Sequence, residues 1–590
     1  MRRRKVIVAV VVAAASLSAA VYATSGGPRR AIERPVRALG PGGSTEAERA
    51  TGSGGAPAVP VAGPAAVPHL TKPLAQLTNR RPTVVPWVKR ELDAEAEQAA
   101  GVEVERTKPA LEGTVDLGQA DGALQADRGA TRFPAPSLSF KGLGASANPY
   151  LLVPPDTNGD VGGGYYLQMV NTVFAIYDAT TGTKVEGPLF MSSLFDVGTQ
   201  KLCATHDDGD PVVVYDEYAD RFVISQFGLN FNSAKFAECV AVSATSDPTG
   251  SWNAYQFAYP KANVLNDYPK FGVWPAANND AYVASFNQFR CSTSICDFSW
   301  RGAGAVAYDR AAMIAGTTAD QVYVDLYGVD QNLGGLLPSD ADGPTPPAAN
   351  TPNYFVQADA DEYGYPDDAL EVWEFDVNWS GVSTFTAQNT SLTTANFNPW
   401  ICGTGRSYCV PQKNSNTKLD TVNTAMMFRL QYRNMGPGDE RMVVTQSVRG
   451  SKGQAGLRWY ELRDSGGGWG IQNQGTYAPG TRKSRWMGSA AMDSAGNIAI
   501  GYSISSAGIF PSIGVVGRNA TAVADTLDLG ERKVLSGTGS ERGSYGRWGD
   551  YSAMTVAEDG CTFYYTTQYY KKTSQYKWAT QVLRFTIPSC

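Results

Sequence analysis

Aspartate, arginine and tryptophan side chains recur at corresponding places in a repeated segment of this 590-residue chain. "RWMGSAAMDSAGNIAIGYSIS" begins at Arg485, and "RWGDYSAMTVAEDGCTFYYTTQYY" begins at Arg547. Each copy opens on Arg-Trp, continues with small or acidic residues, runs apolar, turns at Asp or Gly and runs apolar again. Carboxylates can act as acids and bases, and guanidinium groups bind carboxylates in pairs of hydrogen bonds. The chemistry of the repeat therefore depends on whether the fold brings its copies together.

The same strand–turn–strand pattern occurs earlier in the chain. Clear copies are "GDPVVVYDEYADRFVISQF" from Gly209 and "DYPKFGVWPAANNDAYVASF" from Asp267. Looser copies begin near "NGDVGGGYYLQMVN", near "NYFVQADADEYGYPDDALEVWEF" from Asn353 and near "LDTVNTAMMFRLQYRN". Aspartates stand just before or at the start of the first strand of five units: Asp160, Asp210, Asp267, Asp420 and Asp550.

Seven such units predict an all-β fold, a seven-bladed β-propeller over residues 135–590. The units are spaced about 50–80 residues apart, which is room for about four strands, or one blade, each. One four-stranded sheet cannot bury both of its faces, so blades pack around an axis and close a ring without an exposed edge. A pair of β-sandwiches is the alternative, but sandwiches do not repeat a hairpin at this period.

Equivalent positions of successive propeller blades lie around the axis on one face, which predicts a ligand site at the mouth of the ring. Aromatic rings would cover sugar faces, while acids and guanidinium groups would bind hydroxyls or uronate carboxylates. Paired carboxylates there could also hydrolyse glycosides if their separation suited that reaction. The alternative is structural, with these residues tying one blade to the next. The predicted ligand-binding residues are Asp210, Asp267, Arg485, Trp486, Arg547, Trp548 and Asp550.

A candidate calcium site lies in "PPDTNGDVG", where Asp156, Asn158 and Asp160 alternate as oxygen ligands do in a calcium loop. Two departures from that loop are Val161, where a glycine is usual, and Leu167, where a bidentate glutamate is usual. The alternative is an Asx-rich turn that needs no metal. No other cofactor is indicated.

Composition and missing motifs exclude several classes of function. The formal charge of −6 argues against a nucleic-acid partner. The chain has no GxSxG and no HExxH, and His206 is the only histidine after residue 135. A protease or a metalloenzyme with several histidine ligands is therefore disfavoured.

The N-terminal region predicts export. "MRRRK" is followed by an apolar stretch that ends in small residues at Ala23, as in a signal peptide over residues 1–23. An uncleaved anchor is the alternative, since Val6–Ala23 is just long enough to span a bilayer. Residues 24–134 predict a disordered low-complexity spacer, with a short helix around "VKRELDAEAEQAAGVEVE". No further membrane segment follows.

The eight cysteines agree with an oxidising compartment, because all of them lie between Cys203 and Cys590 and none forms a CxxC pair. Eight cysteines allow 105 pairings. Proximity suggests Cys291–Cys296 and Cys402–Cys409, which leaves Cys203–Cys239 and Cys561–Cys590. A zinc site is the alternative, but the chain has only two histidines.

Several motifs resemble those of a family of secreted bacterial proteins: "PPDTNGDVGGGYYLQMVN", "DPVVVYDEYADRFVISQF", "SDPTGSW", "DYPKFGVWP", "RWMGS" and "RWGDYSAM". The resemblance covers roughly residues 135–590. It implies export and a propeller-like fold, and it implies no activity. One departure is Ala276, which stands where the family has an Asp after "GVWP".

Taken together, these features predict a secreted, monomeric binding or scaffold module for an extracellular glycan or protein ligand. No nucleic acid and no membrane span after signal cleavage are expected. The alternative is a carbohydrate-active enzyme, similar to glycoside hydrolases, that uses carboxylates at the propeller mouth.

We predict that all eight cysteines of the exported protein are oxidised in the four pairs named above. Mass spectrometry of a non-reduced proteolytic digest measures this directly. Free thiols at Cys402 and Cys409, or a peptide that joins either of them to Cys203, would show that proximity in sequence does not determine the pairing.

Overall fold

The computed structural model describes residues 58–82 and 120–590, except for 151, 294–295, 297, 389–390, 404–407, 424, 481 and 544–545. The predicted signal peptide, and the helix predicted around residues 88–105, lie outside the described residues. Helix in the described part consists of α1 (Lys201–Thr205), α2 (Arg310–Ala315) and four 3-10 segments. The 3-10 segments are Leu74–Gln76, Ala145–Ala147, Met191–Leu194 and Asp361–Tyr363. No helix within these ranges has the length and apolar character needed to cross a bilayer.

Strands account for most of the regular structure. The N-terminal strands are β1 (Val61–Ala62), β2 (His69–Leu70), β3 (Leu124–Gln125), β4 (Thr131–Arg132) and β5 (Leu138–Gly144). The first antiparallel group consists of β6 (Asn158–Gly162), β7 (Tyr165–Val170), β8 (Val173–Asp178) and β9 (Lys184–Phe190). The second consists of β10 (Val212–Asp216), β11 (Arg221–Asn230), β12 (Lys235–Ser243) and β13 (Trp252–Ala258). The third consists of β14 (Val264–Trp274), β15 (Ala281–Arg290), β16 (Trp300–Asp309) and β17 (Gln321–Asp325).

The later groups follow the same order along the chain. The next consists of β18 (Leu337–Asp342), β19 (Asn353–Asp359), β20 (Ala369–Asp376) and β21 (Thr384–Ala387), with β22 (Leu392–Thr393) beside β20; a separate hairpin is formed by β23 (Tyr408–Gln412) and β24 (Ser415–Asp420). The fifth group consists of β25 (Met426–Asn434), β26 (Glu440–Arg449), β27 (Ala455–Asp464) and β28 (Trp469–Tyr477). The sixth consists of β29 (Ser484–Met492), β30 (Ile498–Ser506), β31 (Ile509–Arg518) and β32 (Leu529–Leu535). The seventh consists of β33 (Ala553–Val556), β34 (Thr562–Tyr570) and β35 (Trp578–Thr586), and β5 pairs with β35 as its fourth strand.

The first strands of these groups contact one another in a closed cycle. The order of contact is β6, β10, β14, β18, β25, β29, β33 and back to β6. Two of them, β18 and β25, also pair in parallel through Ser339–Asp342 and Leu430–Arg433. Two separate sandwiches would not join their strands in one cycle. The expectation of an all-β, propeller-like fold is therefore confirmed.

Apolar side chains fill the space between neighbouring groups. The ring closes between β7 and β34, where Tyr166 and Tyr564 stack with their centroids 5.5 Å apart. Between the second and third groups, Phe257 of β13 contacts Tyr308 of β16, with ring centroids 4.3 Å apart. Because each sheet buries both faces in this way, its strands read as nearly continuous apolar runs, as in "VVVYD" of β10.

The fourth unit begins earlier than the sequence pattern predicted. The hairpin that starts at Asn353 is formed by β19 and β20, which are the second and third strands of their group. The first strand is β18, "LPSDAD", half of whose side chains are polar. It lacks an apolar run such as that of β10, and two of its side chains, Asp340 and Asp342, pair with a buried arginine described below.

Part of the predicted spacer is ordered against the sheets, so the expectation of disorder does not hold for residues 58–82 and 120–134. There, β1 pairs with β17 and β2 with β13, while β3 and β4 pair in parallel with β28 and β32. These short strands occupy the outer edges of four groups. Backbone hydrogen bonds to an existing edge hold them, so they do not need the apolar surface that an independent fold would require.

The four expected disulfides are present. Cys203–Cys239 joins α1 to β12, and Cys561–Cys590 joins the residue before β34 to a residue four positions after β35. Proximity in sequence predicted Cys291–Cys296 and Cys402–Cys409, and the other two pairs followed as the remaining cysteines.

We predict that Asp216→Ala lowers the free energy of unfolding by about 3–5 kcal/mol, because it removes the bidentate partner of a buried guanidinium and leaves Arg310 with Asp280 alone. Arg310 donates to Asp216 Oδ2 at 2.7 Å and to Oδ1 at 2.9 Å, and Tyr282 donates to the same carboxylate at 2.8 Å. Denaturant unfolding measures the loss. The control is Asp376→Ala at an exposed position, which we expect to change stability by less than about 0.5 kcal/mol. Equal effects of the two substitutions would contradict the prediction.

Candidate functional site

Aspartates at the starts of several first strands lie together at one place in the ring. Asp156, Asp210 and Asp550 come two or three residues before β6, β10 and β33, and Asp267 lies at a bulge in β14. Asp156, Asp210 and Asp550 have φ values of 49°, 52° and 56°. Aspartate tolerates this left-handed region better than most residues, and such positions cluster at functional sites. We name these four aspartates, together with Tyr268, Lys270, Arg547 and Tyr551, the central cluster.

Lys270 lies at the middle of the central cluster. Its side chain is buried, and its Nζ lies 3.0 Å from the ring centroid of Tyr268 and 3.5 Å from that of Tyr551. The Nζ finds no hydrogen-bond acceptor in the described part of the chain. Burial holds the pKa of the amine well below its usual value, and nearby carboxylates oppose that shift. Those carboxylates are Asp210, Asp550, Asp156 and Asp267.

Asn171 holds two of these aspartates in place. Its Nδ2 donates to Asp156 Oδ2 at 2.7 Å, and its Oδ1 accepts from the Asp210 backbone N–H at 3.0 Å. Gly209 makes this approach possible, because its φ is 112° and a Cβ there would lie 2.7 Å from Asn171 Oδ1. One buried amide therefore sets the spacing between Asp156 and Asp210.

The carboxyl of Asp156 has a raised pKa. Burial raises its pKa well above the usual value, the charges of Asp210 and Asp550 raise it further, and Arg547 acts against them. The Asp156 Oδ1 atom has no hydrogen-bond partner among the described residues. A carboxyl group with a raised pKa can act as a proton donor in acid–base chemistry.

Arg547 and Asp550 form an ion pair within the central cluster. Arg547 Nη2 donates to Asp550 Oδ2 at 2.5 Å, and Arg547 Nη1 lies 3.7 Å from Asp420 Oδ2. The Tyr268 hydroxyl donates to the Asp550 carbonyl at 3.1 Å. Most of the cluster is buried, whereas Asp210, Asp267 and Tyr268 are partly exposed and accessible to a ligand.

Three of the predicted ligand-binding residues lie elsewhere. Arg485 is fully buried and donates to Glu531 Oε2 at 2.5 Å, which links β29 to β32. Trp486 and Trp548 are fully buried in the core with their ring centroids 6.0 Å apart. Trp548 donates through Nε1 to Ser503 Oγ at 3.0 Å. Their burial corrects the expectation that these rings cover a sugar, because no face of either ring is open to solvent.

The candidate calcium ligands do not converge on one point. Asn158 Oδ1 accepts from the Val213 N–H at 3.3 Å, and Asp160 Oδ2 accepts from the Tyr215 N–H at 2.8 Å. These oxygens therefore bind the backbone of β10, while Asp156 belongs to the central cluster. Within the described ranges, the acidic group with metal-ligand spacing is a different one, Asp361, Glu362 and Asp368. The geometry favours the structural reading of "DTNGD" over the calcium reading.

Asp160 instead belongs to a second buried group, the arginine cluster, which consists of Asp160, Asp340, Asp342 and Arg429. Arg429 Nη1 donates to Asp342 Oδ2 at 2.9 Å, and its Nη2 lies 2.6 Å from Asp340 Oδ2. Burial raises the pKa of Asp160 to about 7, and the Arg429 charge lowers it in part. The arginine cluster joins β6, β18 and β25 across the ring.

Sequence reasoning missed Tyr268, Lys270 and Tyr551, although the signal was adjacent. Tyr268 and Lys270 follow Asp267 within "DYPK", and Tyr551 follows Asp550 within "GDY". The prediction relied on residue types that recur from unit to unit, whereas these residues occur in one or two units only. The structure places them beside the recurring aspartates.

Comparison with known proteins provides little beyond these observations. No family model and no curated protein matches the chain. Among solved structures, a protein of unknown function from Dyadobacter fermentans is similar over 64% of this chain and 94% of its own, with 10% identity and a TM-score of 0.37. An α-L-arabinanase from Penicillium chrysogenum is similar over 65% and 99%, with 11% identity and a TM-score of 0.34. An arabinanase from Bacillus subtilis is similar over 73% and 93%, with 10% identity and a TM-score of 0.26. Likeness at this level carries no functional argument.

We predict that Asp160 makes the stability of the protein fall as pH rises. Its pKa is raised in the folded state, so its contribution is fully present below pH 3.8 and is lost as pH rises through about 7. The free energy of unfolding of the native chain minus that of Asp160→Asn should therefore decrease from pH 4 to pH 7, which denaturant titrations at several pH values would measure. A difference that stays constant or increases over this range would contradict the assigned shift.

Proposed function

We propose that this chain is a secreted, monomeric, seven-bladed β-propeller that binds an extracellular glycan at the central cluster. The observation that carries the proposal is the gathering of four aspartates, from the starts of separate first strands, around one buried lysine. The closed cycle of first strands supports the blade number, because each of its seven members begins a group of four antiparallel strands in the described part of the chain. Three of the five repeated aspartates, Asp210, Asp267 and Asp550, belong to this cluster.

A hydroxyl-rich ligand suits the groups that solvent reaches. Asp210 and Asp267 can accept hydrogen bonds from sugar hydroxyls, and the partly exposed Tyr268 offers an aromatic ring. Cores of protein–protein interfaces are richer in apolar and aromatic side chains. The large apolar side chains that are exposed in the described ranges are Val59, Val61, Val67, Leu70, Val185, Val197, Val382 and Val523, and none of them belongs to the central cluster. A glycan is therefore favoured over a protein ligand.

Export is part of the same proposal. Four disulfides with no free cysteine in the described part are typical of proteins from oxidising compartments. The predicted signal peptide over residues 1–23 would direct the chain into the export pathway.

Glycoside hydrolysis is the second candidate, and one observation favours it. Asp156 has a raised pKa and lies beside the carboxyl groups of Asp210 and Asp550, which suits it to donate a proton. Glycosidases use such a pair, one as the proton donor and the other as nucleophile or base.

We predict that the secreted protein is retained on one or more members of a panel of polysaccharides, and that Asp210→Asn weakens retention by at least about tenfold, since a charge-assisted hydrogen bond is lost. Asparagine also tolerates the left-handed φ of 52° at this position, so the fold should be kept. Affinity electrophoresis and thermal unfolding measure the two effects. The matched control is Asp376→Asn at an exposed strand end.

The same assay separates the two candidates. Retention without soluble products supports binding, whereas release of oligosaccharides that stops in Asp156→Asn supports hydrolysis. The assignment of the site would be contradicted if both Asp210→Asn and Asp267→Asn were still retained on the polysaccharide. It would also be contradicted if Asp210→Asn were unfolded while Asp267→Asn bound normally.

A further inference from the structure

A separate cavity of about 680 Å³ lies beside the second group of strands. Its wall on one side is α1 with His206, and on the other side it is the segment of residues 258–264. The floor comes from β12 and β13. Its volume falls within the range of about 300–1,000 Å³ that is usual for small-ligand sites.

Small side chains and a disulfide explain why this space exists. Ala237 pairs with Ala258 on β13 and with Gly228 on β11, so one face of the sheet has little side-chain volume at this point. The helix α1 is tied over the same face by Cys203–Cys239. Leu202 of α1 packs on the sheet at Gly228, where a Cβ would lie 3.4 Å from Leu202 Cγ. The cavity therefore lies beside this contact, where the sheet carries small side chains.

The charged side chains that line the cavity are all basic. These are Lys201, Lys235 and Lys261, and no aspartate or glutamate lines the cavity. His206 also lines it, but burial lowers its pKa and so disfavours its charged form. Lys261 pairs with Asp325, whereas Lys201 and Lys235 are exposed and have no ion pair with a described residue. This is a local excess of positive charge on a chain whose formal net charge is −6. An anionic ligand would be attracted to it.

Neutral groups complete the lining. The Tyr259 hydroxyl donates to Glu238 Oε2 at 2.8 Å, and its ring meets Phe286 edge-on at 5.2 Å, so the ring is held in one orientation. Asn230 and Thr205 add side chains that bind hydroxyls. Ala234 on the rim has a φ of 47°, a costly conformation for alanine that is often kept at binding sites.

We propose that this cavity binds an acidic saccharide. Carboxylate groups of the sugar contact Lys201 and Lys235, a sugar ring packs on Tyr259, and hydroxyls bind Asn230 and Thr205. The cavity shares no residue with the central cluster, so this second site stands whether or not the central cluster binds a glycan.

The test is isothermal titration calorimetry of the full secreted chain with trigalacturonate, with neutral maltotriose and with sodium sulfate. We expect trigalacturonate to bind, maltotriose to bind at least about tenfold more weakly, and the double variant Lys201→Ala/Lys235→Ala to lose at least about tenfold in affinity for trigalacturonate. Lys184→Ala, at an exposed lysine outside the cavity, is the matched control and should leave the affinity unchanged. Asp210→Asn should also leave it unchanged, which separates this site from the central cluster.

Four outcomes would overturn the proposal, three of which concern relative affinities. Those three are equal affinity for trigalacturonate and maltotriose, sulfate binding as tight as that of trigalacturonate, and a double variant that is folded by circular dichroism and binds as the native chain does. Absence of any trigalacturonate binding would likewise reject the saccharide assignment.

Discussion

The hydrogen-bonding needs of the first strands constrain the rest of this structure. Each first strand pairs with the second strand of its own group on one side, and on its other side it meets the first strand of a neighbouring group. Backbone N–H groups buried there must find acceptors, because an unsatisfied one costs about 1–3 kcal/mol. Side chains of adjacent strands provide them: Asn158 and Asp160 accept from β10, Asp340 from β14, Gln431 from β29 and Ser489 from β33.

This constraint divides the repeated polar residues into two sets. Those within the first strands, such as Asp160 and Asp340, are used by the backbone and by Arg429. Those just before the strands, such as Asp156, Asp210 and Asp550, lie where the chain turns with positive φ, and their carboxylates gather around Lys270. The structural reading therefore holds for Asp160 and Asp340, and the functional reading stays a prediction for Asp156, Asp210 and Asp550.

Local patterns in the sequence predicted what depends on local structure. The hairpin repeat indicated the all-β class, and cysteine spacing indicated the disulfides, because both reflect residues that are close along the chain. The start of the fourth unit was missed because β18 gains its stability from pairing with β25 rather than from its own apolar side chains. The edge strands β1 to β4 were missed for the same reason. Trp486 and Trp548 were predicted to lie at the mouth because they recur beside Arg485 and Arg547. Their burial could not be predicted, because it depends on contacts with residues that are distant in sequence.

A crystal structure of the exported protein soaked with a glycan that it retains would test the central claim most directly. The account predicts that the glycan lies against Asp210, Asp267 and Tyr268, with Lys270 still enclosed between the rings of Tyr268 and Tyr551. A glycan seated elsewhere while this mouth stays empty, or a Lys270 amine turned away from the four aspartates, would contradict it.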